Sequence, residues 1–244
     1  MQKENLTIQL PSGPTIELVY VQGGTFLMGS DDPKSSDREK PVHQVKLSDF
    51  YIGKYPVTQK QWQAVTGDNP SRFQGERRPV EQVSWKDTQE FLEKLNHVAG
   101  KKFRLPTEAE WEFAARGGIY SQGYTYAGSD RLKQVGWYDD NSDKQTHEVG
   151  QLLANELSLH DMSGNIWEWC QDWFSDKHYE VCRQRGIVEN PQGPDSGADR
   201  VLRGGGWILR PVSCRSVNRG RGDPEDRGRI IGLRIVLPFQ AAGS

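Results

Sequence analysis

Long apolar runs, pairable cysteines and net charge are all scarce in this sequence. No segment approaches the roughly 18 to 20 consecutive apolar residues of a membrane-spanning helix, so no such segment is expected. The opening Met1-Gln2-Lys3-Glu4-Asn5 lacks the apolar stretch and cleavage site of a signal peptide, and a cytoplasmic location is expected. Cys170, Cys182 and Cys214 cannot all pair within the chain, and their spacing fits no zinc template. A reducing compartment suits them. The net charge of -2 excludes a strongly basic nucleic-acid binder on average. Aliphatic residues are also sparse: 34% of the 244 residues are hydrophobic, and the mean hydropathy is -0.77. Eight Trp, eight Tyr and eight Phe make up for this, because each buried aromatic removes roughly 150 to 250 Å² from water. With 26 Gly and 13 Pro the chain has too many helix breakers for a bundle, and short elements joined by loops are expected.

Local patterns place several of these elements. Ile16–Val21 and Thr25–Gly29 are rich in β-branched and aromatic residues around Gly23-Gly24, which suggests a hairpin. His43–Leu47 alternates like a half-buried strand, with Phe50–Gly53 as its continuation after a short break. Three helix starts place a hydroxyl at the N-cap and an acceptor three residues on: Thr58 with Gln61, Ser84 with Asp87, and Thr107 with Glu110. Behind them Trp62 and Val65, then Phe91, Leu92, Leu95 and Val98, then Trp111, Ala114 and Ala115 recur at helical spacing, so three short amphipathic helices are expected. After Gly117 the chain turns loop-rich, and Ile230–Leu237 reads as a closing strand that pairs with the N-terminal strands. With no linker and no internal repeat, residues 1–244 read as a single domain.

Six segments occur in order: Gly23-Gly24-Thr25-Phe26-Leu27-Met28-Gly29-Ser30, Tyr55-Pro56-Val57-Thr58, Pro79-Val80-Glu81-Gln82-Val83-Ser84-Trp85, Arg104-Leu105-Pro106-Thr107-Glu108-Ala109-Glu110-Trp111-Glu112, Asp161-Met162-Ser163-Gly164-Asn165-Ile166-Trp167-Glu168-Trp169 and Arg203-Gly204-Gly205-Gly206-Trp207. Together they resemble the formylglycine-generating enzymes, or sulfatase-modifying factors. The resemblance runs from about Val21 to Val236 and implies an α+β, loop-rich variant of the C-type lectin fold, with short helices around small antiparallel sheets. The motif tryptophans are then expected to pack the scaffold. A fold does not by itself fix a function.

Catalytic members hold copper with two cysteines, and those positions fall on Leu209 and Cys214. A copper(I) centre needs two soft thiolates, so no copper is expected here, and Cys214 reads as a small buried hydrophobe. Asp161–Glu168 resembles the family's calcium loop. The resemblance implies a structural calcium held by the side chains of Asp161 and Glu168 and the carbonyls of Gly164 and Ile166. The alternative is that both acids are only hydrogen-bonded within the loop.

Residues 203–234 carry eight arginines and three acids, so this segment is +5 and the remainder -7. A basic C-terminal surface is expected. The segment resembles the variable region of proteins diversified by diversity-generating retroelements, in which rewriting adenines of Asn codons yields no Lys, Gln, Glu, Met or Trp. Between Ile208 and Ile231 there is no Lys, Gln, Met or Trp, and Glu225 stands beside Pro224 at a framework position. Arg203, Gly204, Gly205, Trp207, Pro211, Cys214, Arg215, Ser216, Arg219, Arg221, Pro224, Arg227 and Gly232 form the framework. The candidate ligand-binding positions between them are Ile208, Leu209, Arg210, Val212, Ser213, Asn218, Gly220, Gly222, Asp223, Asp226, Gly228, Arg229 and Ile230. Exposed, their mixture of apolar side chains and arginine has the composition of interface centres; an ordinary solvated loop is the alternative. Arg221-Gly222-Asp223 spells a short adhesion tripeptide that carries little weight, and no aromatic interleaving supports stacking on nucleic acid. A non-enzymatic protein that binds a protein or other macromolecule is expected, with an oxidase acting on protein cysteine without paired thiols as the alternative.

Overall fold

The computed structural model describes residues 4–11, 13–33 and 35–239; Met1, Gln2 and Lys3 of the opening lie outside them. In chain order come β1 (Leu6–Gln9), β2 (Thr15–Val21), β3 (Thr25–Met28), β4 (His43–Lys46), β5 (Phe50–Gly53), α1 (Gln59–Thr66), α2 (Trp85–Ala99) and α3 (Glu108–Ala115). The second half holds α4 (Leu132–Val135), β6 (Trp167–Trp173), α5 (His178–Arg185), β7 (Val188–Glu189), β8 (Arg200–Arg203), β9 (Gly220–Gly222), β10 (Ile231–Leu233) and β11 (Val236–Pro238). The strands form three small sheets, ordered β1-β2-β5-β11, β10-β6-β8-β9 and β3-β4-β7. Among the described residues no helix is long and apolar enough to cross a membrane.

All three helix starts carry a complete capping box, including Ser84 with Asp87. Each cap satisfies two orphan backbone groups locally, which is why it is legible in sequence. Trp62 on α1 stacks flat on Phe91 of α2, with ring centroids 4.7 Å apart. Val98, counted on the apolar face of α2, stands 44% exposed instead.

The expected hairpin does not form. β2 pairs with β1 and β5, and β3 pairs with β4 in another sheet. Gly23 serves close approach instead of a turn, since a Cβ there would lie 2.2 Å from the Leu47 carbonyl oxygen. β5 accordingly does not continue β4; it lies between β2 and β11. The closing segment is two strands: β10 pairs with β6 in parallel, and β11 pairs with β5 antiparallel. Between them Arg234 turns inward, and its Nη1 donates to the Gly53 carbonyl at 2.7 Å.

The largest departure concerns α3. It was expected to be amphipathic, yet every residue from Glu108 to Ala115 is buried, three glutamates included. Buried carboxylates persist only when paired. Glu110 accepts both terminal nitrogens of Arg104, at 2.6 and 2.7 Å. Glu108 takes the Arg219 Nε and Nη2 at 2.6 and 2.8 Å, and Glu112 pairs with Arg203 and with Arg116. The guanidiniums of Arg116 and Arg203 hold the buried Glu112 carboxyl below its ordinary range against desolvation.

Next to this cluster the buried Asp172 carboxylate accepts the Glu108 amide at 2.9 Å. Burial, reinforced by the Glu108 charge, pushes its carboxyl up to about 8. Because the folded value lies above the unfolded one, its stabilising contribution is complete in acid and is lost as pH rises toward 8. Asp172→Asn should therefore gain on the wild type in urea stability as pH rises from ~3 to ~8.5. An unchanged difference between the two pH values would refute the assignment.

Candidate ligand-binding surface

β8 ends at Arg203, and the chain enters a loop through Gly204 and Gly205, both left-handed at φ +97° and +78°. A Cβ on Gly205 would stand 2.7 Å from Cys214 Sγ, so the turn closes directly on the buried thiol. Arg203, fully buried, donates to the carbonyls of Ser216, Val217 and Asn218 at 2.9, 3.1 and 2.9 Å. The same guanidinium pairs with Glu112. One buried side chain thus fixes the far end of the loop to the core.

A second loop, residues 223–230, lies beside the first. Trp207 Nε1 donates to the Arg229 carbonyl at 2.9 Å, and a Cβ on Gly206 would touch Ile230 at 3.5 Å. Gln82, in the left-handed region at φ +63°, donates its amide to the Gly228 carbonyl. Phe73 packs edge-on to Trp207 at 5.4 Å, bringing a body loop against the same place. No sequence motif singled out Phe73.

None of the thirteen candidate positions is buried. Ile208 (42%), Arg210, Val212 (54%), Asp223, Asp226 and Arg229 are exposed, whereas Leu209, Ser213, Asn218, Gly220, Gly222, Gly228 and Ile230 are half-buried. Of the framework, Arg203, Gly204, Gly205, Trp207, Cys214, Ser216, Arg219 and Gly232 are buried. Two glycines nevertheless do not act as display positions. A Cβ on Gly222 would meet the Trp169 ring at 2.8 Å, and one on Gly220 the Trp167 ring at 3.1 Å. Side chains there would point inward. Asn218 is also committed, since its side-chain amide donates to the Ser213 carbonyl at 3.0 Å.

The expected basic surface is mostly absent, because the arginines are spent on acids of the body. Arg203, Arg219 and Arg234 are buried in pairs with Glu112, Glu108 and Glu168. Arg215 pairs with Glu39, Arg221 with Asp199 and Arg227 with Asp87. Among the described residues, Arg210 and Arg229 are the two of the eight outside this pairing.

The positions of the expected metals can be judged from their donors. Cys214 is fully buried, and desolvation pushes its thiol up to about 12. Leu209 is half-buried in the loop, with its carbonyl accepting the Asp139 amide at 3.1 Å. In the proposed calcium loop Asp161, Gly164, Ile166 and Glu168 are all buried. Both Glu168 oxygens are engaged: Arg234 donates Nη2 to Oε1 at 2.9 Å and Nε to Oε2 at 3.0 Å, and Trp111 Nε1 donates to Oε2 at 2.7 Å. Asp161 accepts the Gly150 amide and the Asn165 side chain, at 2.8 and 3.2 Å. As these side chains stand, the donors fit a buried guanidinium and not a calcium ion, which would be set against the Arg234 charge. Arg234→Leu, by stranding Glu168, should cost about 3–5 kcal/mol. The loss in chemical denaturation should be the same in calcium and in chelator; stabilisation of the wild type by calcium would refute this arrangement.

Residues 4–238 match the family described as "Sulfatase-modifying factor enzyme 1-like domain". The chain is 37% identical over 270 residues to the chaperone protein LppX of Paenibacillus barcinonensis, covering 90% of this chain and 89% of that protein. It is 30% identical over 288 residues to the formylglycine-generating enzyme of Streptomyces coelicolor, covering 89% and 88%. Its structure is similar to that of Treponema denticola variable protein 1, with a TM-score of 0.88 at 29% identity over 98% of this chain and 100% of that one. The mixed α+β architecture of short helices and small sheets is that of the C-type lectin-like fold, and the chain belongs to the family of the formylglycine-generating enzymes.

Proposed function

We propose that this chain is a non-catalytic ligand-binding protein whose C-terminal surface is diversified by a retroelement and takes a protein or other macromolecule. The partition of residues 203–234 carries the reading: the framework is largely buried, and no candidate position is. Variation can then alter the surface without entering the core. The likeness to a structure called a variable protein supports it. Leu209 stands where the catalytic relatives have a thiol, and the remaining thiol, Cys214, is held protonated at neutral pH by burial. Neither feature suits copper chemistry. Pairing of six of the eight arginines leaves little charge for nucleic acid. Three free, buried cysteines suit the cytoplasmic location included in this proposal.

The gene neighbourhood gives a direct test. A reverse transcriptase and a near-copy of the coding segment for residues 203–234, differing at adenines, is the expected finding. Copper-dependent oxygen uptake with a cysteine-containing sulfatase peptide, in the absence of such a template, would overturn the reading in favour of an oxidase.

Stability measurements test the partition itself. Substitutions at Ile208, Arg210, Val212, Asp226 and Arg229 should stay within about 0.5 kcal/mol of wild type in urea denaturation. Gly222→Val, driven into Trp169, should cost about 1–3 kcal/mol, and Arg203→Met, removing one of the two guanidiniums paired with the buried Glu112, about 3–5 kcal/mol. Equal costs across the two groups would remove the basis for a display surface.

A further inference from the structure

The ligand itself leaves a chemical trace in the surface. Arg72 and Arg229 are both exposed, and among the described residues no carboxylate comes within 4.0 Å of either guanidinium. Each sits over an aromatic ring: Arg72 over Phe73 at 6.0 Å and Arg229 over Trp207 at 5.3 Å. The two rings meet edge to face, 5.4 Å apart. The result is a continuous row, Arg72, Phe73, Trp207, Arg229, exposed at its two arginines, half-buried at Phe73 and buried at Trp207, half from the body and half from the candidate variable segment.

Beneath the row lies Glu81, fully buried. Its Oε1 accepts the backbone amides of Arg72 and Phe73 at 2.5 and 2.9 Å, while Oε2 has no partner among the described residues. Burial raises its carboxyl above the ordinary range. The Arg72-Phe73 turn is thereby held by two backbone bonds before any ligand arrives, so little ordering cost remains. Two exposed guanidiniums without an acid partner among the described residues keep donors for an acid from outside.

We infer that Arg72 and Arg229, set over Phe73 and Trp207, form an acid-binding subsite that takes aspartate or glutamate side chains of a protein ligand. The inference rests on the ligand-binding reading of residues 203–234 and adds to that surface a constant part, Arg72 and Phe73. Arginine over an aromatic ring offers both charge-assisted hydrogen bonds and apolar contact, the composition of energetic centres in interfaces.

The test is selection of a random peptide library displayed on phage against the intact protein. Three forms are compared: wild type, the double variant Arg72→Gln with Arg229→Gln, and the double variant Ile208→Asp with Val212→Asp. Both doubles change exposed side chains and should keep the wild-type melting temperature. Peptides recovered on wild type should share an acidic residue, and their affinity should fall about tenfold or more on the arginine double and with rising salt. Peptides without an acid, or acidic peptides indifferent to the arginine double, overturn the subsite; the ligand-binding reading then stands if the Ile208 and Val212 double abolishes binding. Peptides indifferent to both doubles, or no recovered peptide, overturn both.

Discussion

The ion pair between Arg203 and Glu112 is the constraint from which the rest of the structure follows. Both side chains are wholly inaccessible to solvent, and the arginine also holds three carbonyls of the loop that follows β8. Four residues earlier on the same helix, Glu108 binds Arg219, which lies in that same loop segment. A buried charge stripped of its partner is far more costly than the pair is stabilising. The helix α3, the strand β8 and residues 216–219 are therefore locked into one arrangement, since moving any of them would strand a charge in the core.

That lock explains how a surface on irregular loops can be rigid. The backbone of the first loop is fixed at Gly205 against Cys214 and at residues 216–218 by Arg203. The second loop is fixed by the Trp207 indole and by Gln82. Glu168 with Arg234 repeats the device where the two larger sheets come together, and Trp111 touches both systems, with its indole on Glu168 and its ring beside Arg203. Side chains that point outward between these anchors bear no structural duty, so they can differ without disturbing the frame.

The legible parts of the fold were those decided within a few residues. Capping boxes at Thr58, Ser84 and Thr107 are satisfied by groups three positions away, so the sequence shows them completely. Strand pairing was less legible. Gly23-Gly24 looks like a turn, but its absent side chain is needed because the backbone at Leu47 passes against it. A glycine required for close approach cannot be told from one required for a turn until the approaching segment is in place. In residues 203–234 the candidate positions are read from residue type alone. Gly220 and Gly222 depart from that reading because two tryptophans from β6 occupy the space beside them. The part of the surface supplied by Phe73 had no local signature at all.

By itself the sequence determined the family and the α+β character with its capped helices, because ordered motifs and local hydrogen bonding carry that information. It also determined that the last third is rich in arginine. Only the tertiary structure decided what those arginines do. Read along the chain they make a basic surface and the helix Glu108–Ala115 an acidic face; folded, Arg203 and Arg219 enter the core to meet Glu112 and Glu108. Whether a charge is buried depends on a partner about a hundred residues away in sequence, and no local pattern encodes that distance.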